Sequence, residues 1–204
     1  MKASIELNNR TLAFLSLQDF QRAVESSVHA LEYHRVIAAS QNSNLGSSAH
    51  DLLDQCMLLS QPEQRSSGIS KAFVYDQGIQ LPPTITDSAV ITAALIFNSA
   101  LAHHLVAETA GSHCLETFNQ AKALYEVAYN VLDIDENVLF QFAVINNIAV
   151  VDRKIGNLTR SNHYFEHLMS LLMLLVDQGC TLRLQRVKGF LVNLPTVIET
   201  APAA

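Results

Sequence analysis

The chain has 204 residues, 49% of them hydrophobic and 16% charged, which provides a sizeable core and excludes global disorder. The formal net charge is −6 and the 13 Lys and Arg residues are scattered, which argues against a nucleic-acid partner. Three cysteines (Cys56, Cys114 and Cys180) have no short spacing, so a disulfide framework is not expected.

Glycine and proline are scarce, at 7 and 5, while Leu and Ala are abundant, which favours helices. The first residues, MKASIELNNR, lack the apolar stretch of a signal peptide. The longest apolar run, at residues 171–176, is far shorter than the ~20 residues that span a bilayer. We therefore expect no membrane partner and a cytoplasmic location, with the nucleus as the alternative.

The N-terminal part of the chain predicts a helical hairpin over residues 3–38. Its first helix is expected to end near Leu17, and the sequence QDF forms the turn. Apolar residues then follow helical spacing in the second helix: Phe20, Val24, Val28, Leu31 and Val36.

Residues 40–86 have a different composition and predict an irregular insertion. The sequences SQNSNLGSS and SQPEQRSSGIS are typical of loops, and HDLLDQCMLL between them predicts a short helix. Pro82 and Pro83 forbid helix, so AFVYDQGIQLPP is expected to be extended, with a turn over residues 76–78. We expect the insertion to be partly ordered and to pack three apolar residues on the helices: Phe73, Tyr75 and Ile79.

The helical pattern resumes after the insertion, with Thr86 or Asp87 as the expected N-cap. Two further hairpins are predicted, over residues 87–133 and 135–178. Gly156 is a typical signal for a helix end within the second of them.

Residues 182–199 are predicted to form a C-terminal capping helix, because terminal repeats need a polar outer face. The sequence RLQRVKGFLVNL has apolar residues for the inner face and Arg and Lys for the outer one. The prediction for residues 1–204 is thus a single all-α domain of stacked antiparallel helical hairpins, with a long irregular insertion and a cap.

Asparagine recurs in the first helix of each predicted hairpin. With the second residue of the two Asn pairs and the single Asn98 as markers, Asn9, Asn98 and Asn147 each precede a small residue by two positions. Small and aromatic residues follow in the second helices: Ala23, Ala30, Ala121, Tyr125, Ala128, Phe165 and Leu168. Small residues let two helices approach closely, and an aromatic fills the groove that they leave.

On these residues the chain resembles the tetratricopeptide-repeat (TPR) proteins, and is similar to the long repeats of kinesin light chains. The third unit, NNIAVVDRKIGNLTRSNHYFEHL, matches best. The chain departs from the pattern at Arg10, Asp152 and Ser161, where a large apolar residue, an aromatic and an Ala are usual. The resemblance implies a TPR-like superhelix and a non-enzymatic scaffold that binds a protein or peptide segment in a concave groove.

The resemblance further implies that Asn9, Asn98 and Asn147 form a ladder across that groove and grip the backbone of an extended peptide. A side-chain amide offers both a donor and an acceptor for this purpose. Helical spacing adds further expected lining residues: Leu101, His104, Val150, Arg153 and Lys154. In the alternative interpretation, favoured for Asn9 and for Asn8 and Asn146, the asparagines bond a neighbouring helix and only fix the hairpin spacing.

Two other function hypotheses remain. In the first, the chain is a structural or self-associating protein whose groove is occupied by its own insertion or by a second copy. In the second, it is an enzyme that uses His103, His104, His113 and Cys114. Neighbouring residues on a helix point about 100° apart, these four residues have no CxxC or HxxxH spacing, and the chain has no phosphate-loop motif, so we expect no metal, no cofactor and no enzymatic activity.

One partner class of related repeat proteins is not expected. The clamp for a chaperone's C-terminal carboxylate requires cations at set positions. The corresponding residues here are uncharged: Asn8, Leu12, Asn98, Ala143 and Asn147.

Overall fold

The computed structural model describes residues 1–40, 52–59, 74–110, 114–131 and 137–177, together with Phe190 and Asn193. Every regular secondary-structure element in these residues is a helix, which confirms the predicted all-α class. In chain order the helices are α1 (Lys2–Ser16), α2 (Phe20–Ser40), α3 (Leu52–Leu59), α4 (Ser88–Ala110), α5 (Leu115–Tyr129), α6 (Val138–Lys154) and α7 (Leu158–Asp177).

Six of these helices pack in the order of the chain: α1 on α2, α2 on α4, α4 on α5, α5 on α6 and α6 on α7. The connections at residues 17–19 and 155–157 are too short for anything but antiparallel neighbours. The short helix α3 leaves this order and packs on α6 and α4, while α1 touches α4 as well as α2.

Helix ends follow the chemistry of the residues placed there. Asp87 is the N-cap of α4, because its carboxylate accepts the backbone N–H groups of Ala89 and Val90 at 2.9 and 3.0 Å. Gly156 lies in the connection after α6. Its backbone adopts the left-handed region, at φ 83°, where a residue with a side chain would be strained. Both positions agree with the sequence prediction.

The turn predicted over residues 76–78 is wrong. That stretch is extended, and the chain turns instead at the prolines, where the Ile85 N–H donates to the Pro82 carbonyl at 3.1 Å. Proline presets the backbone for a turn, and this preference outweighs the Asp and Gly signals upstream.

The small and aromatic residues that carried the repeat pattern all lie in the core: Ala23, Ala30, Ala121, Tyr125, Ala128, Phe165 and Leu168. Ser161 fills an Ala-sized space there, and its buried hydroxyl donates to the Ala149 carbonyl at 2.8 Å. Arg10 is exposed and places its guanidinium 5.6 Å from the Phe14 ring centre, so this departure from the pattern lies outside the core.

Helix α4 is the one described helix that is long and apolar enough to cross a membrane, with a mean hydropathy of 1.6 over its best window. Of that window, 72% is buried inside the protein. A central helix that is covered on all sides has the same composition, so this property is weak evidence for a membrane span.

Two sequence predictions fall largely outside the described residues. These are the capping helix over residues 182–199, of which Phe190 and Asn193 are described and buried, and the packing of Phe73.

Asp152, where an aromatic was expected, forms a buried ion pair between α5 and α6. Its side chain is fully buried and accepts a hydrogen bond from the Lys122 ammonium. The Arg160 Nε lies 3.6 Å from the other carboxylate oxygen. The pair replaces an aromatic contact and links two neighbouring hairpins, at the desolvation cost of two charges.

Replacing Asp152 with alanine leaves the buried Lys122 ammonium without its carboxylate, and we expect a loss of about 3–5 kcal/mol in the free energy of unfolding. Urea denaturation followed by circular dichroism measures this loss. Arg160→Ala is the matched control, because the Arg160 side chain is 45% exposed and should cost no more than about 1 kcal/mol. Equal losses in the two variants would contradict this account.

Candidate functional site

An extended stretch of the insertion lies across the first helices of the three hairpins. We call residues 74–81 the resident segment. Its Tyr75 contacts α6, and its Ile79 contacts α4 and α1. The surface that it covers carries Asn8 on α1, Asn98 on α4 and Asn147 on α6, and we call it the ladder surface.

Asn147 pairs with the backbone of one residue of the resident segment. Its Oδ1 accepts the Tyr75 N–H at 2.9 Å, and its Nδ2 donates to the Tyr75 carbonyl at 3.0 Å. The second N–H of the same amide donates to the Tyr125 hydroxyl at 3.0 Å. Asn146 donates to Asn147 Oδ1 at 3.1 Å, which helps to orient the amide.

Asn98 repeats this arrangement four residues further along the resident segment. Its Oδ1 accepts the Ile79 N–H at 2.8 Å, and its Nδ2 donates to the Ile79 carbonyl at 2.9 Å. Asn8 donates to the same carbonyl at 3.0 Å, and its Oδ1 accepts the other Asn98 N–H at 2.7 Å. Asn98 and Asn147 thus each use both N–H donors of their side-chain amides.

The hydrogen bonds of Asn98 and Asn147 satisfy main-chain groups of the resident segment. Each paired amide satisfies the N–H and C=O of one residue that has no neighbouring strand or helical turn to bond. Buried peptide groups need such partners, since an unpaired one costs about 1–3 kcal/mol. The contacts involve only main-chain atoms of Tyr75 and Ile79, so the amides themselves do not read side chains.

The position of the first asparagine is corrected by one residue. Asn9 is exposed, whereas Asn8 is buried and contacts the resident segment. Neighbouring residues on a helix point about 100° apart, so only one member of the pair can face this surface. Asn8 lies on the buried face of α1, and the pattern formed with Ile5 and Leu15 was the available signal.

Side chains of the resident segment pack closely on the ladder surface. Ile79 and Leu81 are buried. The Tyr75 ring stacks on Phe190 at 5.9 Å between centres and meets Phe97 edge-on at 6.1 Å. Their combined burial adds hydrophobic stabilisation to the hydrogen bonds of the ladder.

Gly78 approaches α1 so closely that a side chain there would require Leu12 to move. A Cβ built on it would lie 2.1 Å from Leu12 Cδ2, 3.3 Å from Asn98 Oδ1 and 3.4 Å from Leu15 Cδ1. Glycine is favoured here by this close approach and not by its backbone conformation, because its φ is not in the left-handed region.

The beginning of the insertion is fixed to α6 by reciprocal caps. Asp54 on α3 accepts the N–H groups of Leu139 and Phe140, both at 3.0 Å, and its negative charge suits a helix N-terminus. Asn137, which precedes α6, in turn accepts the Leu53 N–H at 3.2 Å. Sequence reasoning missed both caps because the partners are more than 80 residues apart.

The other predicted lining residues occupy different environments. Leu101 and Val150 are buried in the hydrophobic core. Lys154 is exposed and pairs with Glu108 at 2.9 Å, and Arg153 is partly exposed near the end of α6. Helical spacing selected residues that are close to Asn98 and Asn147 in the sequence. The apolar ones, Leu101 and Val150, pack between helices and do not line the ladder surface.

His104 is fully buried behind the ladder, in a polar chain that reaches Asn147. Its Nδ1 lies 3.5 Å from the Tyr125 hydroxyl, which accepts the Asn147 N–H and can donate its own proton to a neutral imidazole. Burial lowers the pKa of His104, although Glu108, 3.8 Å from Nε2, opposes this. Burial raises the pKa of the Tyr125 phenol, so both groups are neutral at pH 7.

The pKa of Glu108 is lowered to about 2, first by its interaction with His104 and then, against partial burial, by Lys154. Both shifts have the same consequence for stability. The unfolded state takes up protons that the folded state resists, so His104 contributes less stability below its unfolded pKa of 6.5 and Glu108 below 4.5.

The residues of the enzyme hypothesis are dispersed in the part of the chain that the structure describes. His103 bonds through Nδ1 to the Ser99 carbonyl at 2.8 Å, His104 is buried, and Cys114 is the N-cap of α5. His113 lies outside the described residues. Within the described ranges, no group of three or more His, Cys, Asp or Glu is placed to hold a metal ion.

Comparison of the chain with protein-family models, with curated proteins and with solved structures finds no significant match.

If the ladder amides hold the resident segment, Asn98→Ala and Asn147→Ala each remove two hydrogen bonds to that segment, one to the N–H and one to the C=O of a single residue. We expect hydrogen exchange in residues 74–81 to accelerate by about five- to a hundredfold in each variant. Exchange measured by mass spectrometry on the full chain tests this. Asn9→Ala is the matched control and should leave the exchange unchanged, because Asn9 is exposed.

The alternative interpretation, in which the asparagines only space the hairpins, gives a different pattern. Exchange would then rise in α4 to α6 along with a lower melting temperature, and residues 74–81 would not respond selectively.

Proposed function

We propose that the chain is a non-enzymatic, TPR-like helical scaffold that binds an extended segment of another protein on its ladder surface. In this proposal residues 74–81 are a resident occupant that a partner segment displaces. A cytoplasmic location is part of the same proposal.

One observation carries the proposal: Asn98 and Asn147 each pair with both backbone groups of one residue in an extended segment. This form of contact is independent of which protein supplies the backbone. Peptide binding by main-chain pairing is an established mode of recognition, in which affinity comes from the backbone and specificity from adjacent side-chain sites.

A partner segment has to compete with the resident segment for the ladder surface. A tethered segment competes at an effective concentration in the millimolar range. A partner segment of equal intrinsic affinity therefore binds weakly to the wild-type chain. Loosening the resident segment removes that competition and exposes the intrinsic affinity of the ladder surface.

A structural role is the second candidate, favoured by the complete burial of Ile79 and near-complete burial of Leu81. If these side chains are an indispensable part of the core, the resident segment never leaves. Weakening the contacts between the resident segment and the ladder surface would then destabilise the whole fold without creating a binding site.

The test uses a full-length chain whose resident segment is weakened by Gly78→Val and Ile79→Asp, which leave every residue of the ladder surface intact. A fluorescent peptide with the sequence VYDQGIQLPP is titrated, and binding is followed by anisotropy. We expect the double variant to bind at least about tenfold more tightly than the wild type, since tethered competition is reduced. Gly78→Ala, a milder change, serves the same purpose should the double variant unfold.

Two further variants, made in the weakened background, assign the binding. Asn98→Ala with Asn147→Ala should lower the affinity about ten- to a hundredfold, because the paired hydrogen bonds are lost. Asn9→Ala should leave it unchanged. A weakened chain that stays folded by circular dichroism yet binds no more tightly than wild type would refute the scaffold proposal and favour the structural role.

A further inference from the structure

The contacts of the resident segment indicate which partner segments the ladder surface can bind. This inference rests on the proposed function. The amide ladder contacts only the backbone of Tyr75 and Ile79 and would accept any extended chain. Selectivity must therefore come from the space around individual residues of the bound segment. The resident segment defines four such sites.

The first site is aromatic. The Tyr75 ring contacts two other rings: it is stacked on Phe190 with an interplanar angle of 13° and edge-on to Phe97 of α4 at 64°. Phe190 itself is held against Phe142, with 5.7 Å between ring centres. A flat ring makes both contacts of Tyr75, whereas an aliphatic chain would lose the ring contacts.

The second site is narrow and favours glycine. At Gly78 an added Cβ would contact Leu12 Cδ2 at 2.1 Å and press on the Asn98 amide oxygen at 3.3 Å. A side chain here would therefore disturb the same amide that holds the next residue of the segment. Glycine at this position is coupled to the ladder itself.

The remaining two sites are aliphatic. Ile79 and Leu81 point into closed apolar surroundings and are buried, while Gln80 between them is exposed. Alternation of this kind is what an extended chain presents to a surface on one side of it.

We infer that the ladder surface selects a partner segment of the pattern aromatic–x–x–Gly–aliphatic–x–aliphatic, bound in extended form with its aromatic residue at α6 and the aliphatic residue after the glycine at α4 and α1. The partner is a protein that carries this pattern in an exposed, unstructured stretch. The resident segment, YDQGIQL, is the copy of the pattern that the chain itself supplies.

The test is competition against the labelled peptide on the weakened full-length chain, using unlabelled variants of VYDQGIQLPP. Tyr75→Ala, Gly78→Ala and Leu81→Ala in the peptide should each weaken competition about tenfold or more, since each site loses its buried contact or gains a collision. Gln80→Ala is the matched control and should stay within about twofold, because exposed positions contribute little.

A complementary change in the protein tests the glycine site separately. Leu12→Ala removes the atom that an added Cβ would meet at 2.1 Å. It should bring the Gly78→Ala peptide to within about threefold of the parent peptide, a coupling that a purely structural effect of Leu12→Ala would not produce.

The outcomes separate this inference from the proposed function. If the parent peptide binds but all the variants compete within about twofold of it, the ladder reads backbone alone and the pattern is refuted while the scaffold role stands. If the parent peptide itself does not bind, both fail. Sedimentation of the wild-type chain should show a monomer, and a dimer that the parent peptide dissociates would assign the surface to a second copy instead.

Discussion

The organisation of this protein depends on the pairing of asparagine side chains with the peptide groups of a chain segment that has no secondary structure. An extended stretch buried against helices has N–H and C=O groups that neither a strand nor a helical turn can satisfy. Asn98 provides one donor and one acceptor to Ile79, and Asn147 provides the same pair to Tyr75, as a neighbouring strand would. Asparagine is short and disfavoured in helices, so its presence at these two places is explained by the segment and not by the helix that carries it.

The remaining structure keeps these amides in position. Each ladder amide has a partner behind it: Asn8 holds the second N–H of Asn98, and Tyr125 holds that of Asn147. The Tyr125 hydroxyl also contacts the buried His104, so the chain of polar contacts that begins at Asn147 extends into the interface between α4 and α5. Asp152 and Lys122 link α5 to α6 by a buried ion pair, which fixes the hairpins that bring the two ladder residues together. Preorganised amides of this kind bind at a lower entropic cost than flexible ones.

Much of this arrangement could be predicted from sequence because its signals are local. Helical spacing, the Asp87 cap and the Gly156 stop each act within a few residues, and the Asn98 and Asn147 positions follow from a repeated pattern. The choice between Asn8 and Asn9 could not be made from that pattern, because neighbouring positions differ by a rotation that tertiary packing decides. The packing of Tyr75 and Ile79 on the helices was expected from the sequence, but their individual backbone pairs were not, since Tyr75 meets a partner 72 positions away and loop composition does not encode such a pairing. Asp152 departed from the repeat pattern for the same reason: its partner is 30 residues distant on another helix.

The most direct measurement of the central claim is the set of nuclear Overhauser contacts of the ladder amides in the wild-type chain in solution. The account predicts cross-peaks from the side-chain amide protons of Asn147 to the backbone amide proton of Tyr75, and from those of Asn98 to that of Ile79. Each side-chain amide bonds the N–H and the C=O of one residue, Tyr75 or Ile79, with 2.8–3.0 Å between heavy atoms. Asn9, which is exposed, should show no contact with residues 74–81. Random-coil chemical shifts throughout residues 74–81, with no cross-peak from either ladder amide, would contradict the account.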